Sequence, residues 1–527
     1  MTEPDADVPS PGPRRRRAGG FRSFLGLALI ALGAGSVLIA GSLEEATAQV
    51  VGRNVPISAE ATDLRIIDAN NSPAVVRSPT DATQLAVVNR VDTPRFSCAM
   101  HVSADAGATW APVEIPFPEG EELPARCFAP DAAYGADGTL YVSFVTLIGL
   151  GNTPNAAWVA KAAPGERGLS TPVRSLGPLA FQVRVATDPD EARRLWLSYV
   201  NVEETATLGI AAPGNPVQVI RSDDGGATWG EPVQVSVPAR QRVITPSIAS
   251  GPGGRLYALY LDLEDDTLDY SGAHQGRGGD PYPGTWSLVV ARSGDGGRTW
   301  RETVVDDGVV PTERIIVLFP PSPSLAIDAD GEKVYVGFTD GRDGDPDVRV
   351  WASDDGGARF GPGRRVNDTP VGDDRSQYLP RLAVAPNGRV DVVYYDRRAD
   401  PENVMNHVSL QWSTDDGRSW RPRLRLSDRP FDSRIGFGSE RQLPDLGSRL
   451  GLVSTEQRAL AVWTDTRAGT EASNKQDLAR AVAAFTEGSD LRSPLQVGGA
   501  VAAALGALLL LSGLLARRRD RPNHAGD

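Results

Sequence analysis

The sequence predicts an all-β fold, a β-propeller of four-stranded blades, with seven blades as the best count and six as the alternative, and with an apolar helix flanking each end. Three observations carry this expectation. One turn motif occurs five times, a strand–turn–strand element recurs with the same period, and 56 Gly and 41 Pro make the composition turn-rich.

The motif reads Ser-x-Asp-x-Gly-x-Thr-Trp or a near variant, and it begins at Ser103, Ser222, Ser293, Ser353 and Ser413. Strand-like residues flank each copy, as in VQVIR before Ser222, so each copy is a hairpin turn. Asp105, Asp224, Asp295, Asp355 and Asp415 are suited to accept hydrogen bonds from turn amides, and the glycines that follow tolerate positive φ. These five carboxylates are therefore read as structural.

The last three copies are 60 residues apart, the second precedes them by 71, and the first precedes the second by 119, about two periods. A decayed copy is expected near 162–170, and a last one near 471–477. The second element appears as PSIASGPGGRLYALYLD (246–262), PSLAIDADGEKVYVGFTD (323–340) and PRLAVAPNGRVDVVYYD (380–396), with weaker copies near Pro73, Pro130, Val183 and Pro444. Seven such units fill the middle of the chain. Residues 55–67 are expected to supply the strand that closes the ring, because the last unit is too short.

Outside this region the organisation is simple. Residues 1–23 form a basic segment, 24–43 an apolar run, 49–490 the propeller, 495–516 a second apolar run and 517–527 a basic tail. Each run is long enough to cross a hydrocarbon layer of about 30 Å. Arg14 to Arg17 and Arg22 precede the first, and Arg517, Arg518, Arg519 and Arg521 follow the second, so positive-inside bias puts both flanks in the cytoplasm and the propeller outside. Ala46-Thr47-Ala48 also suits a leader-cleavage site, which leaves open whether the first run is a signal peptide or a retained anchor. The flanks hold nine of the 54 basic and seven of the 67 acidic residues, so the middle carries about −15 and is no nucleic-acid binder. Cys98 and Cys127, the two cysteines, suit a disulfide in an oxidising compartment, with two buried thiols as the alternative.

These boxes resemble those of the Asp-box, or bacterial neuraminidase repeat, proteins of the sialidase-like propeller superfamily, and the resemblance covers most of residues 55–485. It implies either a glycan-active enzyme of exo-sialidase type or a noncatalytic surface propeller that binds glycan, peptide or protein. In a sialidase three arginines hold the substrate carboxylate, a Glu-activated Tyr is the nucleophile and an Asp is the acid/base. Tyr378 matches the nucleophile position, and Arg184, Arg242 and Arg381 match the clamp. The family's Phe-Arg-Ile-Pro opening is replaced here by Asn70-Asn71-Ser72-Pro73.

Topology places any site on the face opposite the boxes, where the long polar loops 263–286, 339–347, 395–403 and 464–477 lie. Aligned on the repeat proline, the residues that ring the axis are Ala74, Asp131, Arg184, Ser247, Ser324, Arg381 and Asp445, with Arg126, Arg242, Tyr378, Glu440 and Arg441 slightly earlier. They form either a carboxylate-binding floor or a plug of salt bridges. The Asp-x-Arg pairs Asp340/Arg342, Asp396/Arg398 and Asp465/Arg467 read as loop locks. Asp343, Asp345 and Asp347 offer oxygen ligands to calcium but lack the glycine and terminal Glu of an EF-hand loop. His101, His274 and His407 lie in unrelated contexts, so neither a metal nor a cofactor is expected.

Overall fold

In the computed structural model, residues 18–42, 47–58, 67–121, 123, 125–202, 214–266, 282–312, 322–436, 445–486 and 492–519 are described. The chain divides into two compact units. One contains the helices α1 (Ala18–Ser42) and α2 (Arg492–Arg519), and the other is Gln49–Ala484.

The larger unit is a propeller of seven sheets built on four antiparallel strands each. Blades 1 to 6 span residues 70–113, 127–176, 180–234, 243–309, 324–365 and 377–425. Blade 7 takes three strands from residues 451–486 and its fourth from Thr47–Pro56, which pairs with Asp477–Thr486 and closes the ring. The closing strand thus starts eight residues earlier than expected, and 59–66 lie outside the described residues.

Second strands are apolar and β-branched because both of their faces are covered by neighbouring blades. Leu85–Val91, Val334–Asp340 and Val390–Asp396 are buried at every position. Wide aromatic side chains fill the wedge between sheets, with Trp196, Trp351 and Trp463 fully buried. Trp196 Nε1 donates to the Gly296 carbonyl (3.0 Å), which ties blade 3 to the turn of blade 4.

Each of the five turn motifs satisfies itself in the same way. At Asp224, Oδ1 accepts from Ser222 Oγ (2.8 Å) and Thr228 N (2.9 Å), Oδ2 accepts from Thr228 Oγ1 (2.6 Å), and Ser222 Oγ accepts from Gly226 N (2.9 Å). Equivalent bonds recur at Asp105, Asp295, Asp355 and Asp415. Donors from Thr or Arg side chains hold the carboxyls of Asp105, Asp224, Asp295 and Asp355 down at about 2. The turn between the first two strands of the same blade accepts an amide hydrogen bond from the box, as in Gly225 N to Arg193 O (2.8 Å) and Gly296 N to Gly254 O (3.0 Å).

The decayed copy at 162–170 falls on the corresponding turn of blade 2, where Glu166 Oε2 accepts from Ala163 N (2.8 Å). The copy expected at 471–477 does not occupy that position. It precedes the third strand of blade 7, whose third-to-fourth connection is made by the two chain ends, so no box can form there. Cys98, in the third strand of blade 1, and Cys127, in the first of blade 2, are joined by a disulfide with Cα atoms 5.7 Å apart.

Within the smaller unit the two helices run antiparallel and touch through glycines. A Cβ on Gly26 would lie 2.8 Å from the Gly506 carbonyl oxygen, and one on Gly499 would lie 2.7 Å from that of Gly33. Among the described residues no helix is long and apolar enough to cross a membrane. The two expected spans, 24–43 and 495–516, are therefore not supported.

Candidate functional site

A repeated backbone irregularity builds the axial site. In the first strands of blades 1, 2, 3, 4 and 6 the pairing slips by one residue, at Asn71/Ala74, Phe128/Asp131, Phe181/Arg184, Ile244/Ser247 and Tyr378/Arg381. Inside each slip one side-chain-bearing residue takes positive φ: Ser72 (55°), Ala129 (51°), Gln182 (54°), Thr245 (52°) and Leu379 (53°). Four of these bulges continue with proline, which has no N–H to leave unpaired in a broken ladder. A bulge turns the strand and re-aims the side chains beyond it, so the residue two positions on faces the axis.

Blade 7 uses Gly447 (φ 81°) at that point, followed by Ser448 and Arg449. The axial residue of blade 7 is therefore Arg449. Asp445, expected there from its proline, lies four residues upstream, and its nearest charges are Asp92 and Arg90. Burial, followed by Asp92, pushes its carboxyl up to about 6.

Axial side chains link the blades in sequence. Asp131 Oδ2 accepts from Val185 N of blade 3 (3.1 Å), and Ser324 Oγ of blade 5 accepts from Leu382 N of blade 6 (2.9 Å). Gln182 Oε1 accepts from Thr245 N (2.6 Å). Arg449 Nη1 meets Asp131 Oδ1 at 3.1 Å, and its Nε donates to the Ser72 carbonyl (3.1 Å).

The guanidiniums outnumber their acids. Arg184 donates only to its neighbouring Val183 carbonyl (3.0 Å), and Arg381 has a buried Nε without a partner; neither has an ion pair among the described residues. Burial first, then Arg449 and other arginines, push the Arg184 pKa down to about 9, and Arg381 and Arg449 are lowered for the same reasons. Arg90 is different. Burial works against its charge, but Asp92 (2.6 Å) and Asp445 reverse this and raise its pKa, while the Phe128 ring lies 5.0 Å beneath it.

A cavity of about 20 Å³ opens beside three of these arginines, lined by Arg90, Phe128, Gln182, Arg184, Ser448 and Arg449, while Arg381 is not among its lining residues. It has room for one or two water-sized groups.

Sequence reasoning missed Arg90 and Arg449. Arg449 was detectable, since Ser448-Arg449-Leu450 repeats Pro380-Arg381-Leu382 with serine for proline. Arg90 is the cross-strand partner of Asn71, the position where the family pattern carries arginine, so a guanidinium reaches this end of the axis from the neighbouring strand. Asn71 itself donates to Asp92 (2.8 Å) and to Gln476 (3.2 Å).

The remaining sequence candidates lie apart from this cavity. Tyr378 is 1% exposed, donates to Asn406 Oδ1 (2.9 Å), accepts from Arg397 Nη2 (3.3 Å) and packs its ring on Tyr395. Burial raises its pKa, and among the described residues no carboxylate is a hydrogen-bond partner. Arg242 donates to the Glu264 carbonyl (3.1 Å) and Arg126 to that of Gly149 (2.6 Å). Glu440, Arg441 and residues 267–281 of the long loop lie outside the described residues.

The Asp-x-Arg pairs close on themselves, as in Arg342 Nε to Asp340 (2.5 Å) and Arg398 Nε to Asp396 (2.7 Å). In the run 343–347, Asp343 pairs with Arg349 and Asp347 with Arg365 (2.7 Å), while Asp345 is buried. No group of three acidic, His or Cys side chains suited to a metal occurs among the described residues.

No known family description and no curated relative matches the chain. Solved structures similar to it include a protein of unknown function from Dyadobacter fermentans (13% identical, covering 83% of this chain and 99% of that one, TM-score 0.44). A polysaccharide lyase, an ulvan lyase bound to -[GlcA(1-4)Rha3S]-, is 12% identical over 82% of this chain and 95% of its own, with a TM-score of 0.47. The endosialidase of phage phi92 is 10% identical over 84% and 70%, with a TM-score of 0.47. Similarity at this level carries no information about the ligand of the chain.

Proposed function

We propose that this chain is an extracytoplasmic glycan-recognising propeller whose axial arginines take the carboxylate of an acidic sugar. One observation supports the reading: among the described residues neither Arg184 nor Arg381 makes an ion pair, and Asp131, the acid that acts on both, is already held by Arg449. Unpaired guanidiniums so enclosed cost stability unless an anion completes them, and their planar donors fit a carboxylate at two points. The cavity beside Arg184, Arg90 and Arg449 would take a carboxylate oxygen, with the sugar ring outside it, while Arg381 stands off this cavity and adds its charge to that of Arg184.

Recognition is favoured over hydrolysis. A tyrosine nucleophile needs a carboxylate to take its proton, and Tyr378 instead has Asn406 and Arg397 as hydrogen-bond partners. The roles of Asp131 and Asp445 come from their neighbours, with Asp131 orienting Arg449 and Asp445 facing Arg90.

Membrane attachment through α1 and α2 belongs to the same reading. Phe24, Leu27, Leu32, Leu508 and Leu511 are exposed on the helix pair, a surface that acyl chains would cover.

The test is a glycan array probed with the detergent-purified full chain, alongside Arg184→Met, Arg381→Met and Tyr378→Phe, with fluorogenic sialosides and neutral glycosides as turnover substrates. Binding confined to carboxylated glycans, lost in both arginine variants and kept in Tyr378→Phe, is expected. Unchanged binding in the arginine variants would refute the axial site, and turnover abolished by Tyr378→Phe would establish the glycosidase instead.

A further inference from the structure

The sequence leaves two fates for residues 18–42, removal by a cut near Ala46-Thr47-Ala48 or retention. Two independent features decide between them. The first is the contact between the helices. Gly26 faces Gly506 and Gly33 faces Gly499, so seven residues along α1 match seven back along α2, a spacing that keeps one face of each helix on the seam.

The seam has no room for side chains. A Cβ on Gly506 would lie 2.6 Å from the Gly26 carbonyl oxygen, and one on Gly33 would lie 2.7 Å from Ala503 N. Glycines at such a seam let two backbones approach directly. Gly35, two residues from Gly33 on the same helix, has nothing within 4 Å of its added Cβ, so the closeness belongs to the seam and not to the helix at large.

The second feature is the location of the cleavage signal. Ala48 lies inside Thr47–Pro56, the strand that completes blade 7. Thr47 Oγ1 is 2.7 Å from Thr486 Oγ1, and Thr47 N donates to the same oxygen at 3.2 Å. A cut after Ala48 would remove the first two residues of the closing strand together with these hydrogen bonds, and would leave the notches at Gly499 and Gly506 uncovered.

We infer that α1 is retained in the mature protein as the permanent partner of α2, so that both chain ends are held in one glycine-seamed helix pair. This holds whatever the propeller binds. It also makes the N-terminal segment part of the folded protein, with α2 as its docking surface.

The inference is tested on the full chain expressed in its own membrane system and extracted in detergent. Intact mass should include residues 18–42. Hydrogen exchange should find the amides of α1 and α2 protected together. Gly26→Leu should raise exchange several-fold in both helices, whereas Gly35→Leu should leave it unchanged. A mature N-terminus at Gln49 would overturn retention, and an uncleaved chain in which Gly26→Leu leaves the exchange of α2 unchanged would overturn the partnership with α2. Neither result depends on glycan binding.

Discussion

Arg449 of blade 7 meets Asp131 of blade 2 at 3.1 Å, an ion pair between two blades that are not neighbours in the ring. Both side chains are largely buried, and Asp131 also holds an amide of blade 3, so a single carboxylate fixes three blades around the inner opening.

Arg449→Ala should therefore destabilise the propeller by about 3–5 kcal/mol, because it leaves Asp131 buried and unpaired. Arg381→Ala should cost far less, since Arg381 makes no ion pair among the described residues and Asp131 keeps Arg449. Urea denaturation followed by tryptophan fluorescence separates the two variants, and equal losses would contradict the assignment of the pair.

Arg184→Met should raise thermal stability while it removes anion binding. Burial and the neighbouring arginines oppose the charge of Arg184, so the unliganded protein carries a cost that methionine relieves. A melting-temperature scan with and without a carboxylated glycan should show a higher midpoint for the variant alone and a ligand-induced rise in the wild type only.

Asp224→Ala removes three hydrogen bonds inside one turn and should cost about 1–3 kcal/mol. Glycan binding by the folded protein should be unaffected, because this turn lies with the boxes on the face away from the axial loops. A titration on the variant at a temperature below its unfolding transition checks both halves.

Acid should act in two windows of opposite chemistry. Burial holds His101 down at about 4 from its ordinary 6.5, so the folded state resists its protonation and stability falls as pH drops from about 6.5 towards 4. The full effect is about 3 kcal/mol. The box carboxyls, held at about 2, contribute stability that is present above pH 3.8 and lost as pH falls through 2. Asp345 and Asp445, both pushed up to about 6, act in the reverse sense and gain stability as pH falls through 6. The difference between wild type and His101→Gln isolates the histidine: the variant should lose less stability than wild type between pH 6.5 and 4, and parallel curves would refute the assignment.

The turns were legible because their chemistry is local. Ser222, Asp224 and Thr228 satisfy one another within seven residues, so a single chain carries the whole signal. The axial ring was legible where proline marks the bulge, and in blade 3 where Val183 takes the proline's place in the repeat. Arg184, Arg381 and Asp131 each end a register slip in a first strand, whereas in blade 7 Pro444 is not the marker and Gly447 does the work of a pre-proline residue. Arg90 had no sequence signal at all, since its position depends on register with Asn71 on another strand. Tyr378 sits beside a bulge, and the bulge that turns Arg381 inward leaves the tyrosine packed on Tyr395.

Ring closure by Thr47–Pro56 also fixes an order of events during synthesis. This is the first strand to leave the ribosome, yet its partner Thr486 lies 439 residues later. Six blades can assemble one after another from contacts near in sequence, while the opening segment waits without a neighbour to pair with. Its exposed edge is then the part of the nascent chain most open to capture by another polypeptide. Joining the two ends is consequently the last act of folding, and a chain that stalls before residue 477 leaves the ribosome as an open arc.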